Sequence, residues 1–454
     1  MNRRRFLAIT AAGPAMGARA QTPNSKKPNI IFILADDLGY GDLGCYGQQL
    51  IDTSNIDRLA AEGMRFTDAY AGSTVCAPSR SCLMTGQHTG HTRVRNNGSP
   101  TMGRVSLWHA DVTVAEVLQA AGYSTSMIGK WGLGEAGSTG IPTQQGFDEW
   151  FGYLNQGHAH NFYPEHLWKN DTEFFLTGNR GGMRQQYSHD LFVNEAIDFL
   201  NHHSNGPFFL YLPLTIPHAN NELGRATGDG MEVPDYGPYA EKNWPTTEKG
   251  FAAMITRMDR DIGRIMAKLK ELGIDDNTIV FFSSDNGPHR EGGHTPDFFG
   301  SQGGLRGIKR DLYEGGIRVP AIARWPGKIE PGAVSDHPWA SWDFLPTAAE
   351  LAGAPIPGNI DGTSIVLTLL GKDQPEPDYL YWEFILGKNF HQAVRKGRWK
   401  ALRRHLDQPI ELYDLAADRA ESHNVAAEHP DIVRQIERIL AEARSESEAY
   451  PIPA

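Results

Sequence analysis

Cysteine is scarce in this chain: three in 454 residues, Cys45, Cys76 and Cys82. Three thiols do not make a disulfide framework, so the fold must rest on a packed core. Beyond the first twenty residues there is no apolar run of membrane length, which argues against a permanent span. Basic residues are outnumbered, 43 Lys and Arg against 54 Asp and Glu, for a net charge of −11. That balance argues against nucleic acid as a partner. Any anionic ligand must be held by a local cluster of cations, because the global field opposes it. No internal repeat is evident.

Glycine and proline are plentiful, 49 and 28, as in a loop-rich enzyme. The first residues read as an export signal: Arg3-Arg4-Arg5-Phe6-Leu7 resembles a twin-arginine motif. A short apolar run and an A-x-A cleavage pattern at Ala18-Arg19-Ala20 follow. Residues 1–20 are therefore expected to be removed from an exported, periplasmic or extracellular bacterial protein.

Four apolar runs end in polar groups: Pro28 to Leu34 at Asp36-Asp37, Tyr123 to Ile128 at Lys130, Pro207 to Leu214 near Pro217-His218, and Thr278 to Phe282 at Asp285-Asn286. Continuous apolar runs bounded by turn signals fit strands buried on both faces of a parallel sheet. Ligands of open α/β sheets gather beyond the carboxyl ends of strands, so these polar groups can converge on one crevice. Helical segments alternate with the strands. Thr113 to Glu116 is a plausible capping box, and Phe251 to Leu272 carries apolar residues at three-to-four spacing. The expected fold is α/β over residues 25–370. A Pro- and charge-rich linker, Lys372 to Asp378, leads to a small C-terminal α+β unit over 379–454, with strand-like pieces around 392–402 and 411–415 and a last helix from about Pro430 to Ala443.

Cys76-Ala77-Pro78-Ser79-Arg80 carries the most information. Cysteine, proline two on and arginine four on is the pattern on which a sulfatase cysteine is oxidised to formylglycine, and here the chain resembles the type I, arylsulfatase-like sulfatases. Pro78 suits a helix's first turn, and Arg80 then lies on the same face as Cys76. The resemblance continues in Gly129-Lys130-Trp131-Gly132-Leu133-Gly134, in Pro217-His218, and in the run Gly307 to Pro320, close to the family's G-x-K-x-x-x-x-E-G-G-x-R-V-P signature. It covers nearly everything after the signal.

The resemblance implies an alkaline-phosphatase-like fold: a large mixed, mostly parallel sheet flanked by helices, with a small C-terminal antiparallel sheet and helix. It implies a Ca²⁺ ion held by Asp36, Asp37, Asp285 and Asn286, with the modified Cys76 as a further ligand. Oxygen donors without Cys or His do mark a hard cation, although each pair alone is equally a turn after a strand. A formylglycine hydrate at position 76 would attack sulfur, and its second hydroxyl would then expel sulfate. Lys130 and Lys309 map onto the lysines that grip the sulfate, His218 onto the group that serves the leaving alcohol, and Arg80 favours negative charge beside the nucleophile. A formylglycine-generating or sulfatase-maturating enzyme is then a required partner.

One departure stands out. The family's G-K-W-H-L-G histidine is replaced by Gly132, which bears on the release step. The density of His and aromatics over 153–166 suggests that His158 or His160 substitutes, with binding of a sugar or a structural role as the alternative. His289 and Arg310 are further substrate-binding candidates, with Arg290, Glu291 and His294 beside them. Trp108, His109, Trp150, Tyr153 and Tyr163 are candidates to stack on a sugar, although aromatics are more often core. Glu314 and Arg318 are expected to fix their loop, and His202-His203 to be a solvated helix end. The expected reaction is hydrolysis of a carbohydrate sulfate, with galactose or N-acetylgalactosamine sulfate the favoured sugar. The alternatives are a phosphomonoesterase or phosphonate hydrolase of the same fold, and a sulfated-glycan binder without turnover, which Gly132 prompts.

Overall fold

A computed structural model describes residues 27–453; the expected export signal lies outside them. The four apolar runs form strands: β1 (Asn29–Ala35), β2 (Ser124–Lys130), β3 (Phe208–Pro213) and β4 (Thr278–Ser284). They are mutually parallel neighbours in the order β4-β1-β3-β2 at the centre of a ten-stranded sheet. Beyond β4 lie Ala321–Arg324, antiparallel, then Met64–Phe66 and Ala333–Ser335. Beyond β2 lie Glu149–Tyr153, parallel, then the antiparallel pair His166–Lys169 and Thr172–Phe175. The sheet is thus mixed and mostly parallel at its centre.

Alternation along the central strands sorts two cores. Ile31 and Ile33 of β1, Leu210 and Leu212 of β3 and Phe282 of β4 face one side. There they meet helix Ser188–His203 and the long helix Thr246–Glu271, whose Met254 and Met258 are buried in the core. Phe32, Tyr211, Met127 and Phe281 face the other side. Helix Cys76–Thr85, helix Val114–Ala120 and helix Phe344–Ala352 cover it. The capping box is present: Thr113 Oγ1 accepts from Glu116 N–H while the Glu116 carboxylate accepts from Thr113 N–H.

The C-terminal strands Leu380–Leu386, Asn389–Lys396, Trp399–Arg403 and Glu411–Asp414 form one antiparallel meander, backed by helix Pro430–Glu442. This sheet is fastened to the loops before and after helix Cys76–Thr85 by buried polar contacts. The Trp382 indole donates to Ala71 O at 2.9 Å, and Arg95 pairs with Glu383 at 3.2 Å. Cys45, Cys76 and Cys82 are all free thiols. Among the described residues no helix is long and apolar enough to cross a membrane.

Candidate active site

Parallel register brings the polar strand ends together. Ala35 of β1 is level with Ser284 of β4, so Asp36 and Asp285 leave the sheet side by side. Asp285 N–H donates to Ala35 O at 3.1 Å, and Asp37 N–H donates to Asp285 Oδ1 at 3.1 Å. Asp37 adopts a left-handed backbone, φ 65°, and so does Arg310, φ 80°. Such conformations cost energy for residues with a Cβ and persist where surrounding contacts enforce them. The two loops that meet here approach closely: a Cβ on Gly287 would lie 1.9 Å from Gly315 O, so only glycine lets the Asp285-Asn286 turn pack on the loop that follows Lys309.

Cys76 is the first residue of helix Cys76–Thr85, with Pro78 in its first turn, as the spacing predicts. Its Sγ lies 3.4 Å from Asp36 Oδ1. One turn on, Arg80 is fully buried. Its Nε and Nη2 donate to Asp285 Oδ2 at 3.1 and 2.8 Å, and Nη1 donates to Lys130 O at 2.5 Å. Arg80 therefore fixes a carboxylate and the end of β2 together.

The two lysines each take one carboxylate. Lys130 Nζ donates to Asp36 Oδ2 at 2.6 Å, and Lys309 Nζ to Asp37 Oδ2 at 2.8 Å. Lys309 also lies 3.1 Å from His218 Nε2 and 3.3 Å from Glu291 Oε2. His218 Nδ1 is 2.7 Å from Ala219 O. That carbonyl can only accept, so Nδ1 carries the proton and Nε2 accepts a hydrogen bond from Lys309. Burial, then the Lys309 charge, lowers the His218 pKa to about 3. Burial alone would raise Asp36, but Lys130, His218, Arg80 and Lys309 together carry it well below the carboxylate range. Asp285 is the opposite case: burial and the Asp36 charge push it up to about 7 against Arg80.

A buried acidic, Cys and His cluster with divalent-cation character results: one ligand atom each from Asp36, Asp37, Cys76 and His218 lies within 4.8 Å of the others. Asn286 strengthens this assignment. Its Nδ2 donates to Asp37 Oδ1 and Gly287 O, while its Oδ1 is buried with no hydrogen-bond partner. An orphaned carbonyl oxygen among three carboxylates is the donor set a hard cation takes.

The remaining candidates divide. His160 stacks on His218 with ring centroids 4.9 Å apart, its Nδ1 held by Glu222 at 3.0 Å. His158 instead packs against Tyr153 and His166. Neither histidine supplies the group nearest Gly132; the Gln156 side chain lies there. His289 is fully buried, with Nε2 3.1 Å from Pro217 O and Nδ1 accepting from Glu291 N–H. Both its nitrogens serve backbone, so it braces the Pro217-His218 loop. Arg310 is half-exposed and donates to Glu291 Oε1 at 2.6 Å. Glu291 thus joins Lys309 and Arg310, a role its loop position alone did not signal. Trp150, Tyr153 and Tyr163 are buried in the cores, whereas Trp108 is exposed under the Arg93 guanidinium. His294 pairs with Glu248 and stacks on Phe251. His202 and His203 turn Nδ1 to carbonyls of their own helix.

The sulfatase family model matches residues 28–354, and a model for the N-sulphoglucosamine sulphohydrolase C-terminal region matches residues 307–446. The chain is 33% identical to an N-acetylgalactosamine-6-O-sulfatase of Bacteroides thetaiotaomicron, covering 93% of this chain and 94% of that protein. It is 32% identical to human arylsulfatase A, over 96% and 90% of the two chains. Among solved structures, Ps i-CgsB superposes with a TM-score of 0.80 at 29% identity, covering 94% and 95%. Its complex with k-i-k-neocarrahexaose gives 0.79 at 28% identity, with the same coverage. Similarity over nearly the full length, the fold and the buried cluster at Cys76 agree: the chain belongs to the sulfatase family, as a sulfuric ester hydrolase of the formylglycine-dependent, arylsulfatase-like type.

Proposed function

We propose that this chain is an exported, Ca²⁺-dependent sulfatase that removes sulfate from a galactose or N-acetylgalactosamine unit of a sulfated carbohydrate. The observation that carries the reading is Cys76 against Asp36, with Lys130 and Lys309 each on a neighbouring carboxylate. A sulfate monoester is anionic, and a nucleophile reaches its sulfur only where cations neutralise the outer oxygens. When bound, the cation would lower the proton affinity of an oxygen nucleophile and polarise the sulfate. Asp36, Asp37, Asp285 and Asn286 would hold it, and those oxygen-only donors favour Ca²⁺ or Mg²⁺ over zinc.

The chain's own groups supply the rest. Lys130 and Lys309 bind sulfate oxygens, exchanging a carboxylate partner for the substrate anion. Arg80 holds Asp285 and the end of β2 in place, so the nucleophile and Lys130 keep their spacing. The Lys309–His218 pair, sharing a proton over 3.1 Å, delivers it to the leaving alcohol. His160 and Arg310, on the two sides of this pair, contact the sugar.

Sugar preference is supported by the relative named as an N-acetylgalactosamine-6-O-sulfatase and by the k-i-k-neocarrahexaose in complex with Ps i-CgsB. The same reading divides the chain at the 372–378 linker and assigns residues 1–20 to an export signal. It also requires a formylglycine-generating or sulfatase-maturating enzyme. The test is twofold. Mass spectrometry of the peptide holding Cys76 should show a loss of about 18 Da, which is outside the ordinary sulfur oxidation ladder. Turnover of galactose and N-acetylgalactosamine sulfates should exceed that of the matching phosphates. A phosphate preference would favour the phosphomonoesterase reading, and binding without turnover would favour a glycan binder.

A further inference from the structure

Gly132 leaves a place that the chain fills from another segment. Past β2 the backbone stays tied to its neighbour: Trp131 N–H donates to Tyr153 O at 2.9 Å and Gly132 N–H to Leu154 O at 3.0 Å. This pairing carries residues 155–156 over Gly132. Position 132 is left-handed, φ 78°, and a Cβ there would stand 2.1 Å from Gln156 Nε2. Side chain and carboxamide therefore exclude each other at this point. A histidine at 132 would displace Gln156, and Gln156 stands where that side chain would begin.

The carboxamide is not merely filling space. Gln156 Nε2 is buried and has no acceptor, although it carries two N–H donors. Buried donors are nearly always satisfied, so one left open beside a reaction centre is poised for a ligand or a reacting group. Gln156 and Gly132 line a small cavity together with Ala77, the residue after Cys76, and Asn97, whose Oδ1 accepts from Ala77 N–H at 2.9 Å. Gln156 thus shares a cavity with Ala77, in the first turn of the helix that Cys76 begins.

We propose that Gln156 is the hydrogen-bond donor to the oxygen nucleophile at position 76, in the role that a side chain at 132 would otherwise take. The inference rests on the sulfatase reading. A carboxamide donates but does not take up a proton at ordinary pH. In the release step the free hydroxyl on the residue-76 carbon gives its proton to water. Its O–H electron pair becomes the C=O bond, and the C–O pair leaves on the sulfate oxygen. Gln156 orients that oxygen and acquires no proton, so it is a positioning residue and not a general base.

The test uses the full chain produced with its maturating enzyme, and 4-nitrophenyl sulfate, whose good leaving group makes sulfate release the slow step. Gln156→Met keeps the volume and removes the donor. Its kcat should fall about 10- to 100-fold, the worth of one hydrogen bond to a charged group, with KM little changed. Formylglycine content at position 76 should equal the wild type's, and enzyme quenched during turnover should carry the mass of a retained sulfuryl group. Gln156→His places an N–H at similar reach and should regain most of the loss. Wild-type turnover by fully modified Gln156→Met overturns the inference alone. So does a fall in kcat that follows reduced formylglycine content, because the effect is then on maturation. A wild type that carries formylglycine yet spares sulfate esters overturns the sulfatase reading and this inference with it.

Discussion

Two buried clusters of charge lie on either side of the loop that runs from Lys309 to Arg318, and they are built on opposite terms. Toward the C-terminal sheet, Lys400 Nζ contacts Glu314 at 2.9 Å and Glu421 at 3.5 Å, and Glu421 also accepts from Glu314 N–H at 2.6 Å. Arg318 pairs with Asp68, and Tyr70 donates to Glu314 at 2.8 Å. Ion pairs here join the loop to the C-terminal sheet and to Asp68, which follows strand Met64–Phe66. Toward the strand ends, Lys130 and Lys309 hold carboxylates that an incoming cation would claim, and Asn286 Oδ1 has no partner at all. The first cluster pairs its charges with one another, although Arg318 Nε and Nη1 lack hydrogen-bond partners, whereas the second is exchangeable. Buried charge alone therefore does not mark an active site; buried charge with interchangeable partners does.

The comparison can be broken most sharply at the nucleophile. Cys76→Ala should abolish sulfate-ester turnover, a loss on the order of 10⁴-fold or more, as for removal of other covalent nucleophiles. The melting temperature should change little, because a small buried side chain is exchanged for a smaller one. Retained turnover would detach the chemistry from the crevice.

Lysines from the two clusters should then fail in different ways. Lys400→Met leaves Glu421 without its cation and Glu314 with Arg318 at 3.4 Å in place of Lys400, so urea unfolding should show a loss of about 3–5 kcal/mol. The molecules that remain folded should keep a normal kcat. Lys130→Met should lower kcat about 10²- to 10³-fold, the usual cost of one transition-state donor, with a smaller change in unfolding midpoint. Equal stability losses would show that the crevice is as closed as the interface.

Cation removal sharpens the same distinction. Chelation should lower the melting temperature and abolish activity. Calcium at about a hundred times its dissociation constant should restore about 2.7 kcal/mol. Magnesium should restore less, and Lys400→Met should respond to calcium as the wild type does.

The smallest expected effect lies outside both clusters. Burial lowers the His88 pKa from its ordinary 6.5 to about 4, against the neighbouring Asp361 charge. A depressed histidine binds fewer protons in the folded chain than in the unfolded one. Its contribution is therefore present above pH 6.5 and lost as pH falls toward 4. His88→Gln should reduce the stability lost over that window by on the order of 2–3 kcal/mol, leaving kcat at neutral pH unchanged. A slope as steep as the wild type's would assign the acid sensitivity to other groups.

Much of this architecture is written in local chemistry. The four central strands are readable because strands buried on both faces are apolar without interruption, and because each stops at a polar residue. The places of Asp36, Asp37, Asp285 and Asn286 at strand ends are legible for the same reason, but their reading as a cation quartet comes from the family resemblance, since each pair alone is equally a turn; helix Cys76–Thr85 is legible from its proline. What escaped was set by register and by reach across the fold. Gln156 opposes Gly132 only because Leu154 pairs with it, and Glu291 meets Lys309 only because two loops fold back on each other. The pair His158 and His160 looked equivalent in sequence. A single 3₁₀ turn over His158–His160 sends one ring to His218 and the other toward Tyr153.

Cys76 is only 1% exposed, sealed at the base of a helix with Asp36 at its sulfur. An enzyme that rewrites this side chain must therefore arrive before the chain closes around it. Biosynthesis has a deadline: editing comes first and folding second. A copy that folds too early would be well formed and would stay inert.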